Sequence, residues 1–273
     1  MLKQRILTAV VLIPLIVLAI FKLPNSAFAL LLGAFVTLGF WEWAGLMGLG
    51  DSTDRAMYLM LVAPLLAGAG FLPGGLLVGI AIGAAWWLIA LAWVWWFNTR
   101  PASVPSGLVV SGICGALVLA PAWMALVVLH GTENYGPRYV LFLMVLVWVA
   151  DTVAYFAGRM FGKHKLAPNV SPGKTWEGVW AALAAGLGMG VVGGRLLEIS
   201  PELQPAFMSL CVITVALSIA GDLLESMFKR RAGVKDSGAL LPGHGGVLDR
   251  IDSLTAAAPV FVGGLLFLGT LVS

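Results

Sequence analysis

The sequence predicts an all-α fold of the polytopic integral membrane class, with about nine transmembrane helices and a cytoplasmic N-terminus. Three observations carry that prediction. Hydrophobic residues fill 60% of the 273 positions and the mean hydropathy is +0.98, more apolar surface than a soluble core can use. Several apolar runs exceed the roughly 18 residues that mark a membrane helix. Charged residues make up only 11% of the chain, and the positive ones gather between alternate runs. A β-barrel would instead show short segments of alternating polarity.

In chain order the runs fall at about 4–22, 26–49, 56–72, 74–97, 105–129, 138–160, 176–196, 205–228 and 253–272. The first is long for the apolar part of a signal peptide and no small-residue cleavage site follows, so it reads as a span. Pro64 and several glycines interrupt the third. The fourth ends in Trp93, Trp95, Trp96 and Phe97 before Arg100, which suits an interfacial aromatic belt better than a platform for a base. Cys114 and Cys211 lie within apolar runs and read as buried small hydrophobes, not as a disulfide or a metal site. In the seventh run Gly186, Gly190 and Gly194 recur every four residues and clear one helix face for close packing, inside the monomer or across a homodimer. No repeat or linker divides the chain. It reads as a single membrane domain over 1–273, with 1–137 mainly scaffold and 138–273 carrying the catalytic helices and two polar loops.

Nine spans place the termini on opposite sides. With the N-terminus inside, the inner segments hold 13 of the 16 lysines and arginines, and only Lys22, Arg138 and Arg195 lie outside. That distribution follows the positive-inside rule and turns both long polar loops toward the cytoplasm.

Chemistry is expected where polar residues intrude. Glu42, Asp151, Asp222 and Glu225 fall inside apolar spans, where an ionisable group costs roughly 2.5–3.5 kcal/mol and so faces a polar cavity or a partner. Asp222, Glu225, Ser226 and Lys229 share one face of the eighth helix, and Ser218 extends that stripe one turn deeper. Asp222 precedes Arg230 by eight residues, which sets it roughly 12 Å below the helix end. A carboxylate at that depth, beside a basic loop, suits a hard divalent cation shared with phosphate groups. Its second carboxylate is expected from Asp249 or Asp252, which spacing alone does not separate. Around them, Gly245 and Gly246 let backbone N–H groups approach an anion, and His244 can donate a hydrogen bond. Lys229, Arg230, Lys235 and Arg250 can neutralise phosphate charge.

A second loop follows the sixth span, where Asp151, Tyr155 and Arg159 share a face. Its SPGKT segment is not a P-loop, because no glycine stands five residues before Gly173 and no strand precedes it. Ser171, Lys174 and Thr175 remain as phosphate contacts at a helix N-terminus, with Thr175 equally suited to capping that helix.

The run SMFKRRAGVKDSGALLPGHGGVLDRID, Ser226 to Asp252, resembles the pattern of the phosphatidate cytidylyltransferase (CDP-diacylglycerol synthase) family at all 27 of its positions. The upstream SPGKTWEG and the ninefold span count are also similar to that family; the first 140 residues add only general hydropathy. The resemblance implies that CTP and phosphatidate give CDP-diacylglycerol and pyrophosphate at the cytoplasmic face of a bacterial inner membrane. It implies Mg2+, with a second cation left open, on Asp222 and Asp249, and here it decides between Asp249 and Asp252. The expected catalytic residues are Asp222, Asp249, Lys229, Lys235 and His244, the last more as an anion contact or loop-ordering group than as an acid or base. Substrate contacts are expected from Ser171, Lys174, Thr175, Ser226, Arg230, Asp236, Gly245, Gly246, Arg250 and Asp252. No nucleic-acid partner is expected. The rivals from sequence physics are a transporter for an anionic substrate, which should show paired inverted halves, and another nucleotidyl or alcohol-phosphate transferase with the same metal logic.

Overall fold

Long apolar runs in this chain have no route to satisfy their backbone within a bilayer except as helices, and helices are what they form. The computed structural model describes residues 2–69, 74–100, 107–238, 240 and 245–271, with backbone alone at 2–9, 11 and 69. Among them the helices are α1 (Leu2–Lys22), α2 (Asn25–Leu46), α3 (Ser52–Ala69), α4 (Gly75–Thr99), α5 (Leu108–His130), α6 (Gly136–Phe161), α7 (Trp176–Leu196), α8 (Gln204–Arg231) and α9 (Leu248–Phe267). Each lies on one of the nine predicted runs. Seven of them, α2 and α4 to α9, are long and apolar enough to cross a membrane, and Leu12–Lys22 of α1 adds a shorter apolar stretch. Helix α3 falls outside that group; Asp54 and Arg55 in its first turn and Pro64 inside it dilute its apolar character.

Helix α8 packs between α7 and α9, while α9 also rests against α5 and α4. The glycine stripe of α7 explains the first of these contacts. A Cβ at Gly186 would press on Val215, and one at Gly190 or Gly194 would strike Met208 or Gln204, all on α8. The stripe therefore packs inside the monomer. Gly221 serves α8 in the same way, because a side chain there would collide with the backbone carbonyl of Asp252 on α9. Deeper in the bundle Phe142, Phe207 and Phe261 pack ring to ring across α6, α8 and α9, and Cys114 and Cys211 are buried free thiols, as expected. Many large apolar side chains face outward, Leu30, Leu61, Leu88 and Val109 each at least 70% exposed, which is the surface a lipid-bathed bundle presents.

One segment departs from the all-helical expectation. Strands β1 (Lys165–Ala167) and β2 (Ser171–Thr175) form a small antiparallel hairpin between α6 and α7, with Lys165 opposite Thr175 and Ala167 opposite Ser171. SPGKT is thus a strand and not an open loop. Pro172 and Gly173 hid it, since both weaken strand patterns read from sequence.

Candidate active site

The hairpin is fastened at both ends. Thr175 caps α7, its hydroxyl accepting from the Gly178 N–H at 3.2 Å. His164 donates its backbone N–H to Glu177 at 3.2 Å, and its Nδ1 lies 2.7 Å from Glu177 Oε1. Gly158 and Gly162 at the end of α6 let Thr175 lie against that helix, where a Cβ would meet it. At the tip, Asn169 donates two hydrogen bonds to Asn98 at the end of α4, from its backbone N–H to Oδ1 and from its side-chain amide to the carbonyl. Arg230 Nε of α8 donates to the Val170 carbonyl at 3.2 Å. The two polar loops thereby meet at one end of the bundle.

That meeting brings Lys174 of the hairpin to Asp222 of α8, Nζ to Oδ2 at 2.7 Å. The other oxygen of Asp222 accepts from the Ser226 hydroxyl at 3.1 Å, one turn along the predicted stripe. Further along the same stripe, Lys229 Nζ stands 2.5 Å from Glu225 and 2.7 Å from Asp249 Oδ1. The second oxygen of Asp249 accepts three hydrogen bonds: from Ser237 N at 3.0 Å, Ser237 Oγ at 3.0 Å and Gly246 N at 2.8 Å. Asp252, one turn into α9, accepts from the Ser253 N–H at 2.7 Å and lies within electrostatic reach of Asp222, Lys229 and Lys174. Asp151 of α6 lies within electrostatic reach of Lys174 and Asp222 and adds a further carboxylate to the group. Carboxylates and ammonium groups gather at this end of the bundle, Lys174 against Asp222 and Lys229 against both Glu225 and Asp249.

Of the expected site residues, Lys174, Asp222, Ser226, Lys229, Asp249 and Asp252 come together, with Gly245 and Gly246 wrapped against Asp249. Gly245 holds φ +82, and a Cβ there would stand 2.9 Å from Asp249 Oδ2. The Gly246 N–H is spent on Asp249, and the Thr175 hydroxyl is buried in its cap. Arg230 joins the two loops. Lys235, Asp236 and Arg250 stand exposed at the rim and Ser171 lies half-buried in β2, while His244 falls outside the described residues.

Two participants had no assigned role. In the sequence Glu42 of α2 is one of four acids within apolar runs. Its buried carboxylate accepts from Val247 N at 3.0 Å, Leu248 N at 2.8 Å and Ser237 Oγ at 3.1 Å. Ser237 itself, next to the expected Asp236, carries no signal in the sequence beyond its place in the family run.

The donor set suits a hard cation. Among the described residues no three acidic, histidine or cysteine side chains converge as a cage. Asp222 is 30% exposed, with Lys174 and Ser226 on its oxygens, and Oδ1 of Asp249 is directed at a lysine. Asp222 and Asp249 would hold a hard ion such as Mg2+ as two oxygen donors, the rest of its coordination coming from substrate phosphates and water.

Comparison with known proteins places the chain in a family. Residues 3–268 match the model of the cytidylyltransferase family. A phosphatidate cytidylyltransferase of Pseudomonas aeruginosa is 46% identical over 263 residues, covering 96% of each chain. One from Haemophilus influenzae is 40% identical over 288 residues, covering 96% of this chain and 97% of that protein. One from Brucella abortus is 48% identical over 138 residues, about half of each. With a match across nearly its whole length and near-complete coverage of two such relatives, this multi-pass membrane protein belongs to the cytidylyltransferase family.

Proposed function

We propose that the chain transfers the cytidylyl group of CTP to phosphatidate, releasing pyrophosphate and leaving CDP-diacylglycerol in the membrane. The observation that carries this reading is the cluster of ion pairs, Lys174 with Asp222 and Lys229 with Asp249, at the polar end of an apolar bundle, in a chain 46% identical over 96% of its length to a phosphatidate cytidylyltransferase.

In the reaction a phosphate oxygen of phosphatidate forms a bond to the α-phosphorus of CTP, and the bond from that phosphorus to the pyrophosphate oxygen breaks. Both reactants are anions, so the protein's work is to screen charge and hold an in-line geometry. Lys174 and Lys229 are positioned to do so, each able to trade part of its carboxylate contact for a phosphate. Arg230, Lys235 and Arg250 add positive charge at the rim. Asp222 and Asp249 would hold Mg2+, which when bound supplies Lewis-acid stabilisation of the phosphate oxygens. Phosphate esters are largely ionised at neutral pH, so no residue is assigned as a general base.

The cluster is proposed to face the cytoplasm of a bacterial inner membrane. Lysine and arginine crowd the loops at this end, while Lys22, Arg138 and Arg195 flank helix ends at the other, the asymmetry that the positive-inside rule requires. The test is transfer of label from α-labelled CTP into lipid by purified protein in phosphatidate–detergent micelles, with and without Mg2+. Magnesium-dependent label in the lipid fraction is expected; folded protein that moves none overturns the reading.

A further inference from the structure

Helix α9 opens on Val247, a residue with no side chain able to cap it, and it has no cap of its own. Four N–H groups at a helix start lack intrahelical partners and must be met from elsewhere. Here two of them are met by Glu42, which comes from α2 more than 200 residues earlier and is only 3% exposed. A carboxylate at that point also lies against the positive end of the α9 dipole. The surrounding backbone is shaped to admit it: a Cβ at Gly238 or at Gly246 would collide with the Glu42 carboxylate.

The same carboxylate reaches Asp249. Ser237 Oγ stands 3.1 Å from Glu42 Oε2 and 3.0 Å from Asp249 Oδ2, and its single hydroxyl proton is shared between the two. Gly246 N and Ser237 N, both on backbone that Glu42 anchors, complete the hold on Asp249. We propose that Glu42 is a positioning residue for the cytidylyl transfer, a remote cap on α9 that fixes Asp249 through Ser237 and the Gly246 backbone. It touches no substrate in this role. The inference rests on the proposed function for its kinetic consequences and on geometry alone for its structural ones.

Charge and size both matter. Three donors converge on two carboxylate oxygens, and a glutamine would turn an NH2 group toward one of them. Aspartate keeps the charge but is one methylene short. The experiment uses the full chain in detergent as wild type, Glu42→Gln, Glu42→Asp, Ser237→Ala and the Glu42→Gln/Ser237→Ala double variant. Groups that orient a metal ligand from behind typically cost 10–100-fold when altered. Glu42→Gln is therefore expected to lower kcat by about 10–100-fold and raise the Mg2+ concentration at half activation, with a smaller change in KM for CTP. Glu42→Asp should recover part of kcat, and the double variant should lose no more than Glu42→Gln alone. Deuterium uptake should speed up in peptides covering 245–252 and stay unchanged in α5 and α6. Wild-type kcat and Mg2+ midpoint in Glu42→Gln, losses that multiply in the double variant, or uptake that rises throughout the bundle would each overturn the proposal. If wild type itself transfers no label, the functional reading fails, and the deuterium pattern alone decides whether Glu42 holds this loop.

Discussion

The two ends of this bundle bury polar groups in different ways. At the end away from the hairpin, His130 contacts Asn25 Oδ1 at 3.1 Å and the Ile20 carbonyl at 2.9 Å, and its ring stacks on Phe28 at 3.9 Å. Gln204 donates to the Gly190 carbonyl at 3.1 Å. These contacts tie one helix end or loop to another, mostly through neutral groups. At the hairpin end, by contrast, carboxylates outnumber the cations among them: Asp151, Asp222, Glu225, Asp249 and Asp252 surround Lys174 and Lys229. The first arrangement is closed and structural. The second keeps oxygens and ammonium groups that can change partners, which is what binding a polyphosphate requires. Buried polarity occurs at both ends of the bundle; the end proposed for chemistry differs in gathering charged groups.

That contrast breaks if the hairpin end proves merely structural, and the strongest test is there. Asp222→Asn or Asp249→Asn is expected to cut label transfer from CTP to lipid at least about 100-fold, the scale of losing a group that stabilises developing charge. Near-normal transfer in a membrane-inserted Asp222→Asn protein would remove that residue from the site.

Lys229→Met should show how closely stability and chemistry are joined at this end. Lys229 is 13% exposed and answers Glu225 and Asp249, which are 3% and 8% exposed. Removing one partner of a buried pair leaves uncompensated charge and costs about 3–5 kcal/mol. Thermal unfolding in detergent should register that loss together with loss of transfer; an unchanged melting curve would contradict the ion-pair network. His130→Ala is the matching change at the far end. It should cost about 1–3 kcal/mol through the polar groups it strands, while kcat of the folded protein stays at the wild-type value. A fall in kcat there would erase the distinction between the ends. The smallest effect is expected for Thr175→Ala, about 1 kcal/mol for a lost N-cap, read from unfolding at unchanged Mg2+ dependence.

Much of the architecture was legible because it is local. Apolar runs of membrane length became helices within a few residues of their expected bounds, and the α8 stripe became real contacts, Ser226 on Asp222 and Lys229 on Glu225. Both follow from the 3.6-residue period, which any chain in helical form must obey. Thr175 was readable as a cap for the same reason. The hairpin was not, since Pro172 and Gly173 argue against a strand, and its pairing depends on the partner at Lys165–Ala167.

The sequence by itself determined that this is a polytopic helical protein, where its charges gather, and which family its run from Ser226 to Asp252 resembles. Tertiary structure alone decided that the glycines of α7 serve α8, that Lys174 reaches Asp222, and that Asp249 is gripped by Ser237 and Gly246. It also assigned Glu42 to the start of α9. The physical reason is distance along the chain. A helix's face is set by its own dihedral angles, but a donor and acceptor some 200 residues apart meet only where two helices cross. That crossing is fixed by the packing of the whole bundle.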